Sequence, residues 1–152
     1  MAAFKFRARP DLAAVLAPLL AAAVPRNAAS GSGRPLVVPV PVAPDRLRER
    51  GYNQSWELAR RVARAHALPA CADALFRVRA TGHQLQLGRA ERAANLRDAF
   101  VVTPSRATRV RGAHVALVDD VLTTGATADA ATRALLRAGA ARVHVWVLAR
   151  TP

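Results

Sequence analysis

The chain has 152 residues, enough for one domain with a real core, and 52% of them are hydrophobic, which excludes a disordered chain. A single cysteine, Cys71, excludes an internal disulfide and suits a reducing cytoplasm, while a net charge of +13 points to polyanionic partners. Lys5 is the only lysine; because alanine and arginine are both abundant, the sign of the charge carries more meaning than the choice of arginine.

In chain order, residues 11–24 read as a helix capped by Asp11 after Pro10. Lys5, Arg7 and Arg9 ahead of this apolar run imitate a secretory signal, but Asp11 and Pro18 argue against export, and the run is too short to span a bilayer. A cytoplasmic protein without a membrane span is expected. Residues 28–34 read as a linker-like stretch. Its Gly31-Ser-Gly33 lacks the third glycine of a dinucleotide fingerprint, and a strand follows it rather than leading into it.

An apolar strand is expected over 36–41. It leads into Asp45-Arg-Leu-Arg-Glu-Arg-Gly-Tyr-Asn-Gln54, read as a basic loop. There Arg46, Arg48 and Arg50 stand at alternate positions and suit pyrophosphate oxygens, with Gly51 permitting a tight approach. A helix follows over 54–67 and a short strand over 74–79. Residues 80–98 form a polar segment, read as a mobile loop anchored by apolar residues at its end.

The richest stretch comes next. Val115, Ala116, Leu117 and Val118 form a continuous apolar run, the signature of a parallel strand covered on both faces, expected over 114–119. Asp119 and Asp120 close it, where open α/β sheets bind ligands. Leu122, Thr123, Thr124, Gly125, Ala126 and Thr127 then connect to a helix over 127–138, whose Ala131, Leu135 and Ala138 share a face before Gly139 stops it. Free N–H groups at that junction attract anions, the threonines add hydroxyl donors, and Gly125 lets the backbone close around a phosphate. Carboxylates repel phosphate, so Asp119 and Asp120 should face sugar hydroxyls, or magnesium through water. A strand over 142–149 follows, expected to be central because it does not alternate cleanly. The alternation of strands and helices predicts a single α/β domain over 1–152, with a mainly parallel sheet and right-handed crossovers.

Other readings lack parts. A Walker B strand also ends in acids, but no G-x-x-x-x-G-K-[ST] occurs, and the early acids and late lysine of a phosphoacceptor domain are missing. His66, His83, His114 and His144 have no ligand spacing and read as structural, with His83 in the mobile segment. No RNP motif, helix-turn-helix signal or aromatic stacking series occurs, which argues against sequence-specific nucleic-acid recognition and leaves non-specific single-stranded DNA as a partner compatible with the charge.

The strand, acidic pair and Thr-Thr-Gly-Ala-Thr loop resemble the PRPP-binding motif of type I phosphoribosyltransferases. Pro39-x-Pro41, Arg46-Leu-Arg-x-Arg50-Gly-Tyr-Asn-Gln54 with Leu58-Ala59, and the series Thr81, Gln84, Leu87, Arg92, Asn95-Leu96 and Ala99-Phe100 are similar to the ComF family, which includes GntX-type proteins. The resemblance implies a type I phosphoribosyltransferase-like fold and a Mg²⁺-PRPP or related ribose-phosphate ligand. It places Asp119 and Asp120 on the ribose as catalytic residues, and the 5′-phosphate in the loop from Leu122 to Thr127. Pyrophosphate would lie toward Arg46, Arg48 and Arg50, with Gln84, Arg92 and Asn95 on the mobile loop. Some members are associated with DNA uptake in competence, and a homodimer is compatible with the fold. Many carry an N-terminal cysteine-rich zinc module; this sequence starts near the family's first helix and has no C-x-x-C, so no such module is expected. A pentosyl transfer from PRPP is implied without its acceptor, and a non-catalytic nucleotide-sensing or single-stranded-DNA adaptor on the same fold is the alternative.

Overall fold

The computed structural model describes residues 12–24, 33–78 and 99–151, and the expected loop over 80–98 and most of the linker-like stretch 28–34 lie outside them. The sheet is built on β4, His114–Leu122, in which Val115, Ala116, Leu117 and Val118 are essentially inaccessible to solvent. β1, Leu36–Pro39, pairs with it in parallel, Leu36 opposite Val115. On the other side β5, Arg142–Arg150, is also parallel, with Arg142 opposite His114.

Alternation along β4 feeds two cores, one on each face. Val115 and Leu117 join Leu36, Val38, Phe100, Ala131 and Leu135; Ala116 and Val118 join Val37, Leu58, Val62 and Trp146. Helix α1, Leu12–Ala23, and helix α3, Gln54–Ala65, cover the second face, with Ala13, Ala17 and Leu20 of α1 at helical spacing and fully inside. Burying one such leucine is worth roughly 1.5–3 kcal/mol. Helix α5, Ala126–Arg137, covers the first face through Leu135 and the small side chains of Ala130, Ala131 and Ala134, which let it lie close to the sheet. This is the expected α/β domain with a parallel sheet.

Three expectations change. β5 is not central: among the described residues the strand order is β1-β4-β5, so β4 is central and β5 an edge. Its cover is partial: Val143 packs against the α5 core and Trp146 and Leu148 against the α1/α3 core, while Val145 is exposed. β4 runs past Asp119 to Leu122, because Val121 and Leu122 still pair with Ala149 and Arg150 and Thr151 N–H donates to the Leu122 carbonyl at 3.0 Å. The basic segment is a helix rather than a loop: α2, Pro44–Arg50, starts on a proline and ends at Gly51, whose φ of 76° is the left-handed conformation of a helix C-cap.

Residues after α3 build a side structure. β2, Leu75–Arg77, and β3, Phe100–Val102, pair antiparallel, and a 3₁₀ turn at Pro104–Arg106 and a one-turn helix α4, Ala107–Val110, lead back to β4. Cys71, buried, ties this unit to β1 by donating its N–H to the Val37 carbonyl at 2.9 Å. Its thiol donates to Asp73 Oδ1 at 3.4 Å, and Asp73 receives Arg106 Nε and Nη2 at 3.0 and 2.9 Å. Burial, then the Asp73 hydrogen bond, pushes the Cys71 thiol above its usual range. Among the described residues no helix is long and apolar enough to cross a membrane.

Candidate functional site

Parallel strands put their C-terminal ends at one edge of a sheet, and there the chain collects its distinctive polar residues. Asp120 is 2% exposed and accepts the Val121 N–H through Oδ1 at 2.9 Å. Asp119 is partly buried. Its Oδ1 accepts the Asp120 N–H and the Ser55 hydroxyl, both at 2.9 Å. Burial, then the neighbouring Asp120 charge, pushes the Asp119 carboxyl up to about 6, against the two hydrogen bonds that favour its ionised form.

The threonine-glycine loop follows at once. Thr123 and Thr124 are exposed and Thr127 half-buried, while Gly125 sits at φ 81° as the N-cap of α5. Gly125 has no side chain to cap the helix, and Thr124 Oγ1 accepts only a long 3.4 Å bond from Ala126 N–H. The first amides of α5 therefore face the loop and favour an anion beyond it. Leu122 roots the loop in β4, and Ala126 and Thr127 form the first residues of the helix.

The third part arrives with α2 and α3. Asn53 caps α3, its Oδ1 accepting from Ser55 N–H at 2.9 Å and Trp56 N–H at 3.4 Å, and its Nδ2 donates to the Val40 carbonyl at 3.1 Å. Because Val40 N–H in turn donates to the Val118 carbonyl at 2.9 Å, this cap is fixed to the strand that carries the carboxylates. Arg50, half-buried, donates to Gln54 Oε1 at 3.3 Å, so the end of α2 adjoins the start of α3. The three arginines do not form one row. Positions two apart on a helix point about 200° apart, so Arg46 and Arg50 share a side and Arg48 does not; Arg48 is ion-paired with Asp45. Gln84, Arg92 and Asn95 lie outside the described residues.

Ser55 lies against Asp119 without having been singled out in the sequence, where Asn53 and Gln54 stood only within the family motif. The signal was present, since Asn53 is a strong N-cap type directly before a helix, but only the fold brings Ser55 to Asp119, 64 residues away. Among the described residues, no group of three or more His, Cys, Asp or Glu side chains is placed to hold a metal ion unaided. A hard cation here would need oxygens brought by the ligand.

The opposite edge of the sheet has another character. Arg34 precedes β1, Arg111 precedes β4, Arg142 opens β5 and Arg137 ends α5; all four are exposed. Arg109, also exposed, donates to the Ala70 carbonyl beside the start of β1. The described carboxylates are elsewhere, at the site, on α2, in the first turns of α3 and α5, or paired as Asp73 is with Arg106. In α3, burial tends to raise the Glu57 carboxyl, but hydrogen bonds from Arg60 and Arg61 outweigh it and leave the group below its usual range.

A family model described as "Phosphoribosyl transferase domain" matches residues 54–152. The chain is 40% identical over 150 residues to a protein of Salmonella typhi named "DNA utilization protein YhgH", covering 97% of this chain and 64% of that one. It is 36% identical over 114 residues to "Competence protein F" of Haemophilus influenzae, covering 75% of this chain and 49% of that one. The chain thus spans about two thirds or less of the length of these relatives. Among solved structures, it is similar to the glutamine PRPP amidotransferase of B. subtilis complexed with ADP and GMP, with a TM-score of 0.57 and 25% identity, over 93% of this chain and 26% of that one.

Proposed function

The chain belongs to the phosphoribosyl transferase domain family, and from that premise we propose that it binds a ribose 5-phosphate bearing pyrophosphate at C1, that is PRPP, as its magnesium complex. One observation carries the reading: Asp119 and Asp120 lie in the last four residues of the central strand, and the loop that follows turns on Gly125 into the uncapped N-terminus of α5. A diol and a phosphate at the two ends of one small ligand match that order. The loop from Leu122 to Thr127 takes the 5′-phosphate through its amides and threonine hydroxyls. The carboxylates accept the ribose hydroxyls, and Arg50 with Arg46 lies on the pyrophosphate side.

Magnesium fits this donor set. It binds through one or two carboxylates plus substrate phosphates and keeps several waters, so Asp119 and Asp120 would hold it through water while the ligand supplies the remaining oxygens. When bound, the ion neutralises charge on the departing pyrophosphate. In a transfer the C1–oxygen bond breaks with its electron pair leaving on pyrophosphate, and a nucleophile's lone pair forms the new bond to C1. The developing positive charge on the ribose lies near Asp119 and Asp120, and the arginines stabilise the leaving group. Calorimetry with Mg²⁺-PRPP tests this: the wild type should bind and the Asp119→Asn, Asp120→Asn double variant should lose most of the affinity. Absence of PRPP binding by the wild type would sink it.

A second reading is favoured by the arginine-lined edge opposite the carboxylates and by a net charge of +13. There the protein is an adaptor that senses a nucleotide at the carboxylate end and holds single-stranded DNA, without base preference, at the other. The relatives' names, which refer to DNA utilization and competence, support this direction. A DNA titration across salt concentrations tests it, since affinity indifferent to ionic strength contradicts an arginine-phosphate interface.

A further inference from the structure

Ser55 has no place in the ligand contacts just assigned, yet it is 2% exposed and its hydroxyl is spent on Asp119. In the first turn of α3 it has no intrahelical carbonyl four residues back to bond, so the usual outlet for a helical serine is closed to it. Its backbone is fixed by the Asn53 cap, and Asn53 is itself anchored to Val40. The Ser55 hydroxyl and the Asp120 N–H both donate to Oδ1 of Asp119.

We propose that Ser55 is a positioning residue: by holding Oδ1 of Asp119, it turns Oδ2 toward the ligand as the acceptor for a ribose hydroxyl. The proposal rests on the PRPP-type reading above and deepens it. A carboxylate carried at the end of a strand would otherwise rotate about its last bond, and the ligand would have to order it on binding. Two donors on one oxygen remove that freedom beforehand. The effect is specific to the diol end of the ligand, since pyrophosphate lies toward α2.

The test is calorimetry on the wild type and Ser55→Ala with three probes: Mg²⁺-PRPP, ribose 5-phosphate and metal-free pyrophosphate. Loss of one hydrogen bond to a charged group predicts about tenfold to hundredfold weaker binding of PRPP and ribose 5-phosphate. Binding of pyrophosphate, which has no diol, should stay within about twofold, a split that displacement of the α3 N-terminus would not produce. Unchanged PRPP affinity in Ser55→Ala would overturn the proposal, and so would equal weakening of all three probes. If the wild type binds no PRPP, the functional reading falls and the proposal with it; if it binds and Ser55→Ala binds equally, the proposal alone falls.

Discussion

Asn53 bonds Val40 with one end of its side chain and the first turn of α3 with the other, Nδ2 reaching the Val40 carbonyl at 3.1 Å and Oδ1 the Ser55 amide at 2.9 Å. One amide group thus fastens a helix to the edge of the sheet beside the carboxylates. Asn53→Ala removes both bonds and should cost about 1–2 kcal/mol, as loss of an N-cap does. Asn53→Asp keeps the cap and loses only the donor to Val40, so its denaturant midpoint should fall between the two.

Asp119 should make stability depend on pH in a defined direction. Its carboxyl is raised from 3.8 to about 6 on folding, so the folded state holds the proton more tightly. Stability from that proton is full below the unfolded value, declines as pH rises through the window from 3.8 to about 6, and is lost above it. Asp119→Asn should therefore stabilise the protein by about 2–3 kcal/mol at pH 7.5 and by little at pH 4. Denaturant unfolding of both proteins at the two pH values measures this, and an equal difference at both would contradict it.

Gly125 should resist substitution for reasons of backbone alone. A Cβ there meets nothing within 4 Å, but φ is +81°. Gly125→Ala should lower stability by about 1–2 kcal/mol, and Gly125→Asn by less because asparagine tolerates this conformation. Thermal unfolding of the three proteins gives the ranking.

At the opposite edge, Arg111 and Arg142 precede and open neighbouring strands. If single-stranded DNA lies there, Arg111→Ala and Arg142→Ala should each reduce the slope of log affinity against log salt by about 0.7. Mg²⁺-PRPP affinity should not change, because the carboxylates are at the other end of β4. Fluorescence anisotropy with a labelled oligonucleotide, repeated over a salt series, reports the slope.

What the sequence made legible was local. The apolar run before Asp119, the glycine after the threonines and the helix beyond them are contiguous, and each follows from composition at a fixed spacing. α2 escaped because three arginines drew attention to charge, although Pro44 and Gly51 mark its two ends. β3 and α4 are three and four residues long, too short for any periodicity to register. β5 was misplaced because an apolar run reports that helices lie against it, and helices α1 and α5 pack on an edge strand as they would on a central one. The Ser55–Asp119 bond depends on tertiary approach, for which no sequence pattern exists.

Cys71 gives the molecule a clock. As the single thiol, buried and held above its usual pKa, it should be inert to a thiol reagent while the native state is closed. Its amide is bonded to the Val37 carbonyl and its thiol is buried in the core that includes β1, so labelling is expected through states in which the β2–β3 unit has parted from β1. The rate of thiol modification therefore counts those partings directly, and ligands that tighten the sheet from its far end should slow it.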